Sequence, residues 1–457
     1  VSTPGTPATA TMDDRAVARA GATIAVLSIL AKSSAFVREA VIAMIYGRGP
    51  EVDAFFVALA LPVFLVQLIA GSFQIAVVPG LLAAARAGGR QQASALAGAG
   101  TVTIALVIAV FALLAAACAP LYLPVVAPGF SERALLLAAD MLWIMTLFAI
   151  LGGLAYAGGA MLTAERRFAL PAIAPALTPL VMTVLLIAFR DQLGVTALAW
   201  GAVLGTLAEA AIVLWAARRL GYRPRLAVSR ADLTALLRRW GPLMLATLLL
   251  SGAGLIDQLM AASLGEGSAS ALGYGAKLVL AGLHVVTTAL GISVLPAYAE
   301  SALDDPGRLS ARLRRHLVAV IALALPGVAI AWWISEPVIA LLYQRGAFTA
   351  EDTRLVAAVL AAYAVQLPAY AAVVILVRAA AVLSLGWVIP TAAAVNMALT
   401  VALNALFMTY WGVVGIALAT APAFAATGVV LYLGIVAGDA RRNRTGETQG
   451  RRNPTVS

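Results

Sequence analysis

The chain of 457 residues has one cysteine, Cys118, and two histidines, His284 and His316. A single thiol excludes a disulfide scaffold. Two histidines and one cysteine cannot assemble a usual zinc site. Charge is scarce as well: Asp, Glu, Lys and Arg make up 11% of the residues, against about a quarter in a soluble domain. No Gly-rich phosphate loop followed by Lys-Ser/Thr occurs, which excludes an ATP motor of that kind. No polar segment is long enough for a catalytic ectodomain; the longest runs from about Arg218 to Arg239. The chain is therefore not expected to be an enzyme, and it is expected to hold no metal or cofactor. Apolar blocks are abundant, since 62% of the residues are hydrophobic. The blocks are too long for the strands of about ten alternating residues that build a membrane β-barrel. The fold class is all-α, polytopic and membrane-spanning.

At about 20 apolar residues per crossing, twelve transmembrane helices are expected, near 20–46, 53–84, 95–118, 134–161, 168–189, 195–217, 240–264, 270–298, 317–343, 355–382, 388–410 and 413–437. The first is too long for a cleavable signal and lacks a small-residue cleavage site. The net charge of +10 is distributed unevenly. The N-terminal segment, the even-numbered loops and the C-terminal segment hold twenty-two Lys and Arg, seven of them between Arg218 and Arg239. The opposite side holds five: Arg48, Arg133, Arg190, Arg345 and Arg354. That bias predicts a multi-pass bacterial cytoplasmic-membrane protein with both ends cytoplasmic. It also implies affinity for anionic membrane lipids and argues against nucleic acid as a partner.

A shift of 218 residues brings Glu39 onto Asp257, Gly47 onto Gly265, Gly49 onto Gly267 and Phe130 onto Phe348. Pro79 meets Pro296 at 217, and Pro171 meets Pro390 at 219. The near-constant offset predicts two six-helix bundles of the same orientation, a parallel repeat around a central cavity. The expected division is a disordered tail over 1–18, lobes over 19–222 and 223–438, and a basic tail over 439–457.

Ionisable side chains inside a bilayer are costly and mark function by default. This chain has Lys32, Arg38, Glu39 and Asp53 in its first two spans, and later Glu209, Asp257, Lys277 and Arg378. Arg38 and Lys277 fall at similar depth, about 15 Å from the outer helix ends at 1.5 Å per residue. Their repeat counterparts are the apolar Ile256 and Leu59, so fold symmetry does not require them. Lys32 and Arg378 extend the cations into a ladder. Glu39, Asp257 and Asp53 are candidate counter-charges and gating residues. Glu209, near a helix end, reads as a structural partner. Tyr363, Gln366 and Tyr370 lie on one face of the tenth span, and Asn396 and Asn404 on one face of the eleventh. Such stripes serve either ligand contact or interhelical hydrogen bonding.

The run Phe36-Val37-Arg38-Glu39, Gly47-Arg48-Gly49, Asp53-Ala54-Phe55-Phe56-Val57-Ala58 and Leu61-Pro62 resembles the opening of the MurJ/MviN lipid II flippase family. That family belongs to the multidrug/oligosaccharidyl-lipid/polysaccharide exporter superfamily. The resemblance continues at Gly275-Ala276-Lys277-Leu278, at 289–296, at Gln344-Arg345-Gly346-Ala347-Phe348-Thr349 with Glu351-Asp352-Thr353, and at Arg378. It implies a two-lobe, alternating-access flippase for a polyprenyl-diphosphate-linked saccharide, either lipid II or a related lipid-linked glycan precursor. It implies Arg38, Lys277 and Lys32 as diphosphate cations and Asp53 as a cavity aspartate; Arg378 joins the diphosphate cations by its depth in the membrane. The polar stripe residues Tyr363, Gln366, Tyr370, Asn396 and Asn404 become candidate sugar contacts.

Departures from the family pattern are Val66-Gln67 in place of Arg-Arg, Gly71-Ser72 in place of Glu-Gly, and Ser384-Leu385-Gly386-Trp387 in place of a GDTRT turn. The family's two final spans, which form a lipid-tail groove, are not among the twelve. Expected partners are the lipid-linked saccharide and the glycosyltransferases or polymerases of its pathway. A coupling ion or the membrane potential can drive transport. Two alternatives stay open: a cation-coupled multidrug exporter of the same superfamily, and a transport-inactive partner of a glycan assembly system.

Overall fold

The computed structural model describes residues 14–223, 230–283, 306–383, 385 and 387–450. His284, the segment 289–296 with its Pro296 repeat match, Ser384 and Gly386 lie outside the described residues, as do residues 1–13 and 451–457.

The elements are helices throughout the described residues. In chain order they are α1 Asp14–Tyr46, α2 Pro50–Leu65, α3 Ser72–Ala117, α4 Ala119–Val126, α5 Glu132–Ala164, α6 Ala169–Ile173, α7 Leu177–Leu193 and α8 Thr196–Arg219. The second half has α9 Arg230–Ser263, α10 over 268–283, α11 Pro306–Tyr343, α12 Ala350–Ala364, α13 Leu367–Val382 and α14 Val388–Gly450. Helix α1 starts at Asp14 and α14 runs to Gly450, so helix extends into both segments expected to be tails.

Seven helical stretches among the described residues are long and apolar enough to cross a membrane. Two of these, Pro50–Ala117 and Val388–Gly438, are 68 and 51 residues long, enough for two crossings each. Each turns back at glycine. Gly88 and Gly89 break α3, and Gly412 breaks α14 with φ +56°. Only glycine takes such positive φ at little cost. Helices α1, α9 and α10 complete twelve spans, the number read from hydropathy.

Helix ends follow local chemistry. Gly49 is extended ahead of Pro50, whose fixed φ suits the first helical position. Thr349 and Asp352 form a reciprocal capping box at the start of α12. The second span is not a plain α-helix, because a π turn over Val66–Gly71 joins α2 to α3. Single π turns concentrate at functional sites, and this one carries Val66-Gln67 and Gly71, where the chain departs from the pattern of the family it resembles.

In the first half α3 packs on α5, α5 on α8, and α7 on α8. In the second half α9 and α13 pack on α14, and α11 on α12 and α13. The halves meet where α9 lies against α2 and α3. Trp240 of α9 inserts into the first half, edge-on to Phe73 at 5.7 Å, and donates through Nε1 to Ser72 Oγ at 2.8 Å. Many large apolar side chains face outward, Leu121, Val125, Leu323 and Trp333 among them, as expected where the solvent is lipid.

Candidate functional site

Between the two halves lies a cavity of about 640 Å³, with Arg38, Phe56, Gln67, Asp257, Lys277 and Gln366 in its wall. Arg38 comes from α1 and Lys277 from α10, one from each half, and both reach the same carboxylate. Arg38 donates from Nε to Glu39 Oε1 at 3.1 Å, and its Nη2 also contacts that oxygen. Lys277 Nζ donates to the same Oε1 while standing 4.6 Å above the Phe56 ring. Glu39 is 1% exposed, and its second oxygen, Oε2, is buried without a hydrogen-bond partner. Two cations share one buried anion, which leaves a local excess of one positive charge facing the cavity. The similar depth read from helix rise is what allows this convergence.

A second space of about 620 Å³ continues into the first half and shares Arg38, Val63, Gln67, Phe148 and Thr178 with the first. Lys32 lines it together with Glu209. Glu209 accepts from Thr178 Oγ1 at 3.1 Å, the structural partnership expected of it. Arg378 is not among the residues lining either space. It sits half-buried on α13, on the side where Ile375, Leu376 and Ala379 form a separate core. Its expected place with the other cations is corrected accordingly: distance along a helix axis says nothing about azimuth.

Asp257, the repeat counterpart of Glu39, also lines the cavity, and it accepts 2.6 Å from Asn404 Nδ2. The matched acids therefore have different partners, cations in one half and an amide in the other. Tyr363, Gln366, Tyr370 and Asn396 all line the cavity. Asn404 does not; it is fully buried behind Asp257. Sequence reasoning missed Thr178, Gln67, Thr400 and Thr420 as lining residues, because isolated hydroxyls and amides in an apolar helix carry no periodic signal.

Asp53, a candidate counter-charge, pairs with neither Arg38 nor Lys277. It is fully buried in the first turn of α2 and caps α10 in the other half, accepting from Gly267 N–H and from Ser270 N–H at 2.7 Å. A carboxylate at a helix N-terminus meets both unpaired donors and the positive dipole end. This contact belongs to a clasp that joins the two halves. Arg48 Nε bonds Asp352 at 2.7 Å, Tyr274 OH donates to Gly47 O at 3.1 Å, and Ala347 N–H donates to Met44 O at 2.8 Å. A Cβ on Gly47 would lie 2.6 Å from Ala347 O, and one on Gly129 would lie 2.6 Å from Gly265 Cα. Gly47 and Gly265 are 218 apart in sequence, as are Gly129 and Ala347, so the two contacts are one contact repeated about the pseudo-twofold. Replacing Asp53 with Ala removes two capping bonds across the halves. The expected loss is about 1–2 kcal/mol, read as a lower unfolding midpoint, with Asn retaining part of it.

Comparison with known proteins places this geometry in a lineage. The family described as Lipid II flippase MurJ matches residues 42–440. The Lipid II flippase MurJ of Burkholderia cenocepacia is 27% identical over 361 residues, covering 76% of this chain and 70% of that protein. A probable lipid II flippase MurJ from Synechocystis is 29% identical over 432 residues, 89% of this chain and 79% of the relative. Among solved structures, Lipid II flippase MurJ in an inward closed conformation superposes with a TM-score of 0.76 at 18% identity, covering 95% of this chain and 93% of that one. An inward-facing multidrug resistance MATE transporter gives 0.68 at 16% identity over 92% and 95% of the respective chains. These two likenesses establish the twelve-helix, two-bundle fold. With the family match running from the end of α1 into the last helix, the chain belongs to the lipid II flippase MurJ family.

Proposed function

We propose that this protein moves a polyprenyl-diphosphate-linked saccharide, lipid II or a closely related precursor, across the cytoplasmic membrane by alternating access. The observation that carries the reading is the meeting of Arg38 and Lys277, one from each half and both in the wall of the inter-lobe cavity, on a single oxygen of the buried Glu39. A diphosphate needs charge-assisted bonds from several cations in a water-poor site. Glu39, one of the three candidate counter-charges, holds those cations until the substrate arrives. The diphosphate then displaces it and ties the two halves together through shared ligands. Tyr363, Gln366, Tyr370 and Asn396 supply hydroxyl and amide groups for the saccharide. The same positive charge disfavours cationic drugs, which sets this cavity against the multidrug-exporter alternative.

The proposed lobes are 19–222 and 223–438, with Asp53 and the Gly47 turn gating the outer end. Both termini face the cytoplasm, as the basic loops require. Reporter fusions after Gly221 should register the cytoplasm, and fusions after Gly267 and Gly346 the outside; the reverse pattern sinks the orientation. The test of function is depletion of the protein in its own host. Lipid-linked saccharide should accumulate in the inner leaflet, and purified protein in liposomes should expose labelled lipid II on the opposite face. Unchanged lipid distribution in both assays overturns the reading.

A further inference from the structure

Away from the clasp, at the basic end of the first half, the ends of α5 and α8 lie side by side. Both close with the same hydrogen-bond pattern. In α8, Gly221 N–H bonds Arg218 O at 2.9 Å and Tyr222 N–H bonds Ala217 O at 3.1 Å. In α5, Arg166 N–H bonds Thr163 O at 3.0 Å and Arg167 N–H bonds Leu162 O at 2.8 Å. This closure puts one residue in the left-handed region, where glycine is the usual occupant. Gly221 fills the position in α8 with φ +91°. Arg166 fills it in α5 with φ +58°, and among the described residues no other non-glycine has positive φ. A strained arginine where glycine would serve points to use of its side chain.

The turn borders a space of about 730 Å³ lined by Arg166, Arg167, Arg219, Trp215, Phe168 and Leu162. Its floor is a small separate core in which Leu162 and Val213 pack with Leu170, Ala216 and Leu220. Arg219 lies 4.9 Å over the exposed Trp215 ring, and Arg218 and Arg223 extend the positive rim. The neighbouring carboxylate, Glu165, is already engaged: it accepts from Arg90 Nη2 at 3.0 Å and from Tyr222 OH at 3.0 Å. Burial and that bond push the Tyr222 phenol up to about 12, so it remains a donor. Among the described residues, no ion pair involves Arg166, Arg167 or Arg219.

We propose that this pocket is a binding site for an anionic glycerophospholipid of the adjoining leaflet, its phosphate held by Arg166, Arg167 and Arg219 and an acyl chain laid on Leu162 and Trp215. Basic pockets at the cytoplasmic side of membrane helices hold phosphate headgroups in this manner, and paired guanidinium donors suit phosphate oxygens. An apolar floor beneath a cationic rim fits a lipid better than a free anion. The site lies apart from the inter-lobe cavity, shares no lining residue with it, and stands whether or not the transported substrate is correctly named.

The test is native mass spectrometry of the full chain in detergent, titrated with phosphatidylglycerol. One saturable adduct is expected, absent with phosphatidylcholine of the same chains. Combined Arg166→Gln, Arg167→Gln and Arg219→Gln changes should weaken it on the order of a hundredfold. A matched control, Arg86→Gln with Arg314→Gln and Arg315→Gln, should change it less than twofold. Arg166→Gly should raise the unfolding midpoint while weakening the adduct, which a purely structural arginine would not do. If the triple glutamine variant does not accumulate, the Lys versions keep the charge and should still weaken the adduct severalfold. Equal weakening by the control set overturns the proposal, as does an unaltered adduct in Arg166→Gly. So does saturation by inorganic phosphate at the same concentration, or displacement of the lipid by a polyprenyl diphosphate, which would make this a substrate entrance.

Discussion

Replacing Arg38 or Lys277 with alanine should abolish transport while leaving protein in the membrane at parental levels. Each change removes one of two cations that share Glu39 Oε1. Truncating one partner of a buried charge pair costs about 3–5 kcal/mol, or about two to four orders of magnitude in affinity for a ligand that depends on both. Arg38→Lys should keep partial activity and Lys277→Arg most of it, since charge is needed first and forked geometry second. Glu39→Gln distinguishes counter-charge from scaffold. It releases both cations and should tighten diphosphate binding while slowing release. Complementation, binding of labelled polyprenyl diphosphate and immunoblotting of membranes together read these outcomes. If the alanine variants accumulate and transport normally, the cationic-cavity mechanism is wrong. If they fail to accumulate and a combined Arg38→Ala, Glu39→Ala change restores level and transport, the cluster is structural.

Gly47→Val should be nearly as damaging, for a different reason. A β-branched residue at φ +59° carries about 1–2 kcal/mol of backbone strain. Its Cβ would meet Ala347 O at 2.6 Å, adding overpacking of about 1–3 kcal/mol. Both penalties apply to the closed clasp, and the sum matches the few kcal/mol that separate alternating conformers. The variant should therefore occupy the state open at that end. Its readout is a cysteine in place of cavity-lining Ala253, in a Cys118→Ser background, since Cys118 is the single native thiol. An impermeant thiol reagent added outside should label the cavity only when Gly47→Val is present, and transport should be lost. Continued protection of the cavity with normal transport would mean the clasp is not a gate. Gly129→Val probes the symmetric contact with Gly265 and should behave alike.

Much of the site was legible because ionised groups are expensive in lipid. Arg38, Glu39, Lys32, Asp257 and Lys277 stood out against apolar runs, and all lie at or beside the two connected spaces. Arg378 shows the limit of that reasoning, since cost marks a residue without saying which way its helix faces. Asp53 shows another. Its position four residues after Gly49 marked a helix-start carboxylate, yet the helix it caps is α10 of the other half, over two hundred residues away. Asp352 could have been found from the Thr349-x-x-Asp352 capping signature; its second role, holding Arg48 across the halves, could not.

The order of residues along the chain already carries the solvent, the number of crossings, their basic-side bias and the repeat. These follow from composition and from period along one chain, where each residue's contribution is local and additive. It also determined the clasp's symmetry in outline, because Gly47 and Gly265 already stood 218 residues apart. Which charges meet is a matter of packing in three dimensions. Glu39 rather than Asp53 neutralises the paired cations, Asn404 backs Asp257 instead of facing the cavity, and the arginine turn of α5 comes beside Trp215. Those outcomes depend on helix rotation and packing between distant segments, set by many small side-chain contacts at once, and no local pattern in the chain encodes them.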